Sequence, residues 1–191
     1  MSRDRTQLHP EMQAALLKLE AECKRQGLKL LITDCVRTQA EQQSLYDQGR
    51  TKPGSVVTNV RFPDSAHNWG VAADFCQNIR GHEYDDPSFF KAVGTIAKKF
   101  GLTWGGDWTG FKDMPHLELT KFMPKSSTAW LKKNYGTPEK FRKSWGKAEP
   151  EQDYAALVCE KLGLARETRE YIDGYRYAND LWRKIWEGLA K

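Results

Sequence analysis

The chain has 191 residues, seven tryptophans and a formal charge of +5, with a sequence pI near 9.0. This length suits one domain, or one domain with a small appendage, and the aromatic content excludes wholesale disorder. The basic charge favours a polyanionic surrounding, whether nucleic acid, acidic lipid or the phosphate-bearing polymers of a bacterial wall, without choosing among them. Cys23, Cys35, Cys76 and Cys159 show no CxxC spacing. That argues against a zinc ribbon or a dense disulfide framework and leaves free, mostly buried thiols. The first residues, MSRDRTQLHPEMQ, lack the apolar stretch of a signal peptide, and no later run is long enough to span a bilayer. Synthesis in the cytoplasm without a signal peptide, and no membrane span, are the expectations.

Pro10 to Gln26 carries Met12, Ala15, Leu16, Leu19 and Cys23 at helical spacing, and Gly27 can end that helix. LKLLITDCV reads as a buried strand. Thr38 and Glu41 form a capping-box pattern, which starts a second helix just after Arg37 and carries it to Gly49. Residues 50–66 read as a long loop broken by Pro53, Gly54, Pro63 and Asp64. GVAADFC is a strand with Ala72, Asp74 and Cys76 on one face and Val71, Ala73 and Phe75 on the other. Pro87 to Phe100 is a helix closed by Gly101, GLTWGGDW is a turn, and HLEL is a short strand placing His116 and Glu118 on one face. From Thr120 the chain becomes basic and is broken by Pro124, Gly136, Pro138 and Pro150, the composition of a connector with some helical pieces. The last segment reads as two helices parted near Gly163, the second carrying Tyr171, Tyr175, Ala178, Trp182 and Ile185. The expected division is a catalytic domain over 1–125, a connector over 126–149 and a helical appendage over 150–191.

The stretch DSAHNWGVAADF places His67 and Asp74 close together with no lysine or arginine between them. A plain reading makes His67 a turn residue and Asp74 a polar position on a strand's wet face. The sharper reading makes them two ligands of one metal. His116 is then the natural third, because its strand can lie beside that of Asp74 with both side chains on one face. A catalytic zinc takes three protein ligands and keeps a position open for water. Asp113, three residues before His116, is placed to act as the base that takes the water's proton and passes it to the leaving amine. His9 and His82 have no such partners.

Ser65-x-His67-x-x-Gly70-x-Ala72-x-Asp74, followed by Asp113-x-x-His116, resembles the zinc peptidases of the D-alanyl-D-alanine carboxypeptidase and L-alanyl-D-glutamate endopeptidase group, whose endopeptidase branch includes phage endolysins. Arg37, Gln42, Tyr46, Gly49 and Arg50 fall in familiar places upstream, so the likeness covers about Pro10 to Thr120. The resemblance implies a small α+β domain with an antiparallel sheet and flanking helices. It implies Zn2+ on His67, Asp74 and His116, and Asp113 as catalytic base. Arg37 would hold a substrate carboxylate or the developing oxyanion. Gln42 joins Arg37 as a substrate-side residue, and Ser65 either bonds substrate or shapes the turn. Glu118 is expected to support the site or to face solvent. Trp69, Trp104 and Trp108 are cleft walls or core.

The leading functional expectation is a peptidoglycan hydrolase that cuts the stem peptide between L-alanine and D-glutamate, acting on the wall after holin-type release. The alternatives are a D-alanyl-D-alanine carboxypeptidase and a non-catalytic zinc-containing wall binder. Asp113 speaks against the binder. A nucleic-acid partner accounts for the charge but leaves the metal constellation unexplained, so none is expected. The C-terminal helices have three open uses: targeting, homodimer formation or completing the fold.

Overall fold

The computed structural model describes residues 2–145 and 154–173, together with 181, 182, 185, 188 and 189. The chain divides into two compact units, Met1–Trp145 and Gly146–Lys191.

The first unit is built on a four-stranded sheet of β1 (Leu30–Asp34), β2 (Ala72–Gln77), β3 (Leu102–Trp104) and β4 (His116–Leu119). Its order is β1-β2-β4-β3 and every pairing is antiparallel. The expected α+β class is therefore present. β3 lies within a segment whose sequence reads as a turn. Its three residues are too few to show a period and owe their extended form to pairing with β4.

Alternation along the strands gives the sheet two different faces. Ala73 stands opposite Leu117, and Ile32 opposite Phe75, on a face covered by α1 (Pro10–Arg25) and α3 (Pro87–Lys98). Met12, Ala15, Leu16, Leu19 and Cys23 are the buried stripe of α1, as their spacing predicts. From α3, Phe89 and Phe90 meet Phe75 at ring-centroid distances of 6.2 and 5.3 Å. The opposite face carries Asp74, His116 and Glu118.

Helix ends follow local chemistry. His9 Nδ1 accepts from the Glu11 amide and Pro10 opens α1. In α2 (Gln39–Asp47) the Glu41 amide donates to Thr38 Oγ1, while the Thr38 amide donates to Glu41 Oε2, the reciprocal box read from the sequence.

Residues 126–145 depart from the connector expected of them. α4 (Ala129–Tyr135) and α5 (Pro138–Ser144) belong to the first unit and bury Leu131 and Phe141 in its core. Phe141 packs against His9, Trp69, Phe122, Tyr135 and Trp145. The Arg142 guanidinium donates to the Asn68 carbonyl at 2.6 Å. Composition misleads here because the two helices are short and mostly wet, and each anchors through one large apolar side chain.

In the second unit α6 (Tyr154–Leu162) and α7 (Arg166–Asp173) flank Gly163, and Ala155, Val158 and Trp182 form a small core. The Trp182 indole donates to Asp173 Oδ1 at 2.7 Å. Tyr175 and Ala178, expected on the last helical face, lie outside the described residues. Among the described residues no helix is long and apolar enough to cross a membrane.

Candidate metal centre

Three elements bring the site together. β2 and β4 pair so that Asp74 and His116 are direct partners on one face. His67 comes from the helical turn Ala66–Trp69, which Gly70 closes in the left-handed region at φ 71°. That turn is tied to the end of β1: the Arg37 amide donates to the His67 carbonyl, and Asn68 Nδ2 donates to the Arg37 carbonyl.

His67 Nε2, His116 Nδ1 and Asp74 Oδ1 form a nearly equilateral triangle, with sides of 3.2, 3.2 and 3.3 Å. The far nitrogens decide what these atoms are. His67 Nδ1 lies 2.7 Å from the Cys35 carbonyl oxygen, which can only accept, so Nδ1 carries the proton and Nε2 presents a lone pair. His116 Nε2 lies 3.2 Å from Glu118 Oε2 and donates to it, which leaves the Nδ1 lone pair facing inward. With both rings neutral, two imidazole lone pairs and a carboxylate oxygen would thus converge on one point.

Such a set calls for a cation. Ligand atoms about 2.0–2.1 Å from a tetrahedral zinc stand roughly 3.3 Å from one another, so the triangle fits that ion. Both histidines also have the outer partners that hold ligating rings in place, a carbonyl for His67 and a carboxylate for His116.

A proton answers the same electrostatic demand. Burial works against charging His116, but hydrogen bonds to Asp74 and Glu118 outweigh it and raise the imidazolium pKa to about 10. In the ion-free chain burial pushes Asp74 upward, yet the positive charge and hydrogen bonds that His67 and His116 offer it as protonated rings hold it well below the usual carboxylate range.

Asp113 stands next to this centre. The Gly105 carbonyl accepts from the amides of both Asp113 and Trp108, so one turn fixes both residues. A side chain on Gly105 would meet the Asp113 carbonyl oxygen at 2.5 Å and His116 Cβ at 3.1 Å, which is why a glycine allows the close approach. Burial raises the Asp113 pKa; His116, His67 and Arg37 oppose the rise, and Asp74 adds to it. A base shifted upward in this way is better matched to proton transfer near neutrality.

Arg37 reaches the site, but its guanidinium is engaged by two protein carboxylates. Nε donates to Asp34 Oδ2 at 2.6 Å and Nη2 to Asp74 Oδ2 at 2.9 Å. The other two residues expected on the substrate side face inward. Gln42 is fully buried, and its Nε2 donates to the Val60 carbonyl at 2.9 Å, tying down the loop. Ser65 is buried, and its amide donates to Asn68 Oδ1 at the start of the His67 turn.

Trp108 is the one of the three tryptophans that borders the centre, 5.2 Å from the His116 ring. Trp69 and Trp104 are core, their indoles donating to the Pro63 and Met114 carbonyls. His82 is exposed and pairs with Asp85. Asp34, which sequence reading passed over, is tied to the centre through Arg37. The available signal was an acid at the end of an apolar strand, three residues before Arg37.

A His-Asp-His triangle beside a carboxylate, on an antiparallel sheet, is a candidate metal centre of the kind a metallopeptidase uses. Comparison with known proteins agrees. The family described as D-alanyl-D-alanine carboxypeptidase, within the M15 peptidases, matches residues 59–119. The peptidoglycan L-alanyl-D-glutamate endopeptidase CwlK of Bacillus subtilis (strain 168) is 42% identical over 122 residues, 59% of this chain and 73% of that protein. The chain therefore belongs to the M15 peptidases. The L-alanyl-D-glutamate peptidase of Listeria phage A118 is 29% identical over 155 residues, covering 79% of this chain and 47% of that protein, about half its length. The crystal structure of the Serratia marcescens L-Ala D-Glu endopeptidase ChiX aligns with a TM-score of 0.46 at 19% identity, over 64% of this chain and 86% of that one.

Proposed function

We propose that this chain is a zinc-dependent peptidoglycan endopeptidase that hydrolyses the bond between L-alanine and D-glutamate in the stem peptide. The observation that carries the chemistry is the triangle of His67 Nε2, Asp74 Oδ1 and His116 Nδ1 with Asp113 beside it. The choice of bond is supported by the endopeptidase relative at 42% identity.

His67, Asp74 and His116 would hold the ion, which when bound polarises the scissile carbonyl and acidifies the attacking water. Asp113 removes the proton from that water and delivers it to the departing amine, so one carboxylate serves as base and then as acid. Its partial burial keeps the proton from being lost to solvent between the two steps. Trp108 walls the site next to His116. Arg37 braces Asp74 from the side away from the histidines. Two of its five N–H groups serve protein carboxylates, Asp34 and Asp74.

Digestion of purified peptidoglycan, with the new termini identified by mass spectrometry, tests this reading. Fragments with a new amino terminus on D-glutamate and a new carboxyl terminus on L-alanine are expected. Release of free D-alanine with the L-alanyl-D-glutamate bond intact would replace it with the carboxypeptidase alternative.

A further inference from the structure

We infer that Asp34 is a positioning residue for the metal centre, acting through Arg37 to control which oxygen of Asp74 faces the two histidines. The inference rests on the metal reading above and adds to it a residue outside the ligand set.

Asp34 ends β1 and stands opposite Asp74 in the β1–β2 ladder, after an irregularity in register between Ile32 and Asp34. Two carboxylates facing each other across a ladder repel. Asp34 is only 2% exposed, and its Oδ1 is buried with no hydrogen-bond partner among the described residues. A buried carboxylate with one oxygen unsatisfied destabilises the fold compared with an apolar residue of like size. Stability alone therefore does not account for an acid here. Its other oxygen does, through Arg37 Nε at 2.6 Å.

The geometry of the fork supplies the reason. A guanidinium left to itself engages a carboxylate with two parallel N–H groups. Turned fully on Asp74, Arg37 would occupy both oxygens and draw Oδ1 away from His67 and His116. Asp34 takes the Nε edge, so that Nη2 alone reaches Asp74, at Oδ2. Oδ1 is left on the histidine side, 3.2 Å from each ring nitrogen. Asp34 thereby keeps Arg37 a one-point brace and prevents it from competing with the ion.

The test is the zinc dissociation constant, measured by competition with a chromogenic chelator, for wild type, Asp34→Ala, Arg37→Ala and the double variant. Asp34→Ala should bind zinc about 10- to 100-fold more weakly, the usual size of an outer-partner loss. The double variant should bind as Arg37→Ala does, because Asp34 works only through the guanidinium. Asp34→Asn keeps the shape and an acceptor, and should fall between wild type and Asp34→Ala. It carries the test if the alanine variant does not fold. Unchanged affinity in the substituted proteins, or an equal loss with and without Arg37, would overturn the inference. Wild-type protein that binds no zinc would instead overturn the metal reading, before any variant is compared.

Discussion

His116 stands directly across the β2–β4 ladder from Asp74, its Nδ1 3.2 Å from Asp74 Oδ1 and its Nε2 3.2 Å from Glu118 Oε2. One imidazole is thus held between two carboxylates, one on the neighbouring strand and one two residues along its own. This sets Glu118 on the side of His116 away from Asp74, consistent with the proposal that Asp113 performs the proton transfer.

The two acids should separate in mutagenesis. Asp113→Ala is expected to keep its zinc and lose about 10²- to 10⁴-fold in turnover on a soluble stem peptide, the range for a missing general base. Glu118→Gln should weaken zinc binding about 10- to 100-fold, with turnover recovering when zinc is in excess. Metal analysis alongside steady-state kinetics distinguishes the two, and the reverse pattern would make Glu118 the base. His116→Ala serves as the control that loses the ion.

Zinc binding should release a proton. His116 is raised from 6.5 to about 10 by Asp74 and Glu118, so near neutrality the ion displaces the imidazolium proton. Zinc affinity should rise with pH across neutrality and level off as pH approaches 10. The stability of the metal-free chain should run the other way. A folded pKa above the unfolded one contributes stability that is complete below pH 6.5 and disappears as pH rises through about 10. Calorimetry in buffers of different ionisation enthalpy counts the protons released; a count of zero at pH 7 would contradict the charge state assigned to His116.

The unit boundary predicts where the chain can be shortened. We expect a chain ending at Trp145 to fold, bind zinc and cleave a soluble stem peptide at close to the full-length rate, since all the site residues lie in Met1–Trp145. A chain ending at Lys125 should fail to fold, because it removes Leu131 and Phe141 from the core; truncating a buried phenylalanine alone costs about 3–5 kcal/mol. Thermal melts and zinc content of the two truncations check both statements. A folded, zinc-loaded chain ending at Trp145 that cleaves nothing would assign the second unit a part in the chemistry.

Local patterns in the sequence were enough for the starts of α1, α2 and α3, the stripe of α1, the alternation of β2 and the shared face of His116 and Glu118. Each of these depends on residues within a few positions of one another, where backbone geometry allows few outcomes. The same holds for the spacing of His67, Asp74, Asp113 and His116, which marks a metal chemistry once the family resemblance is noticed. Tertiary structure decided the rest. Arg37 faces Asp34 and Asp74 because β1 pairs with β2, a partnership between residues 37 apart in the chain for one of the two bonds. Gln42 turns inward, where its side chain satisfies the Val60 carbonyl of the loop, and the buried Ser65 has its amide held by Asn68 Oδ1 at the start of the His67 turn. β3 is extended only because β4 lies alongside it. The stretch after Thr120 has the composition of a linker, yet Phe141 finds His9, Trp69 and Trp145 and becomes core. Burial of a side chain depends on what packs against it, and in a segment with one anchor per helix the period that would announce that packing is missing.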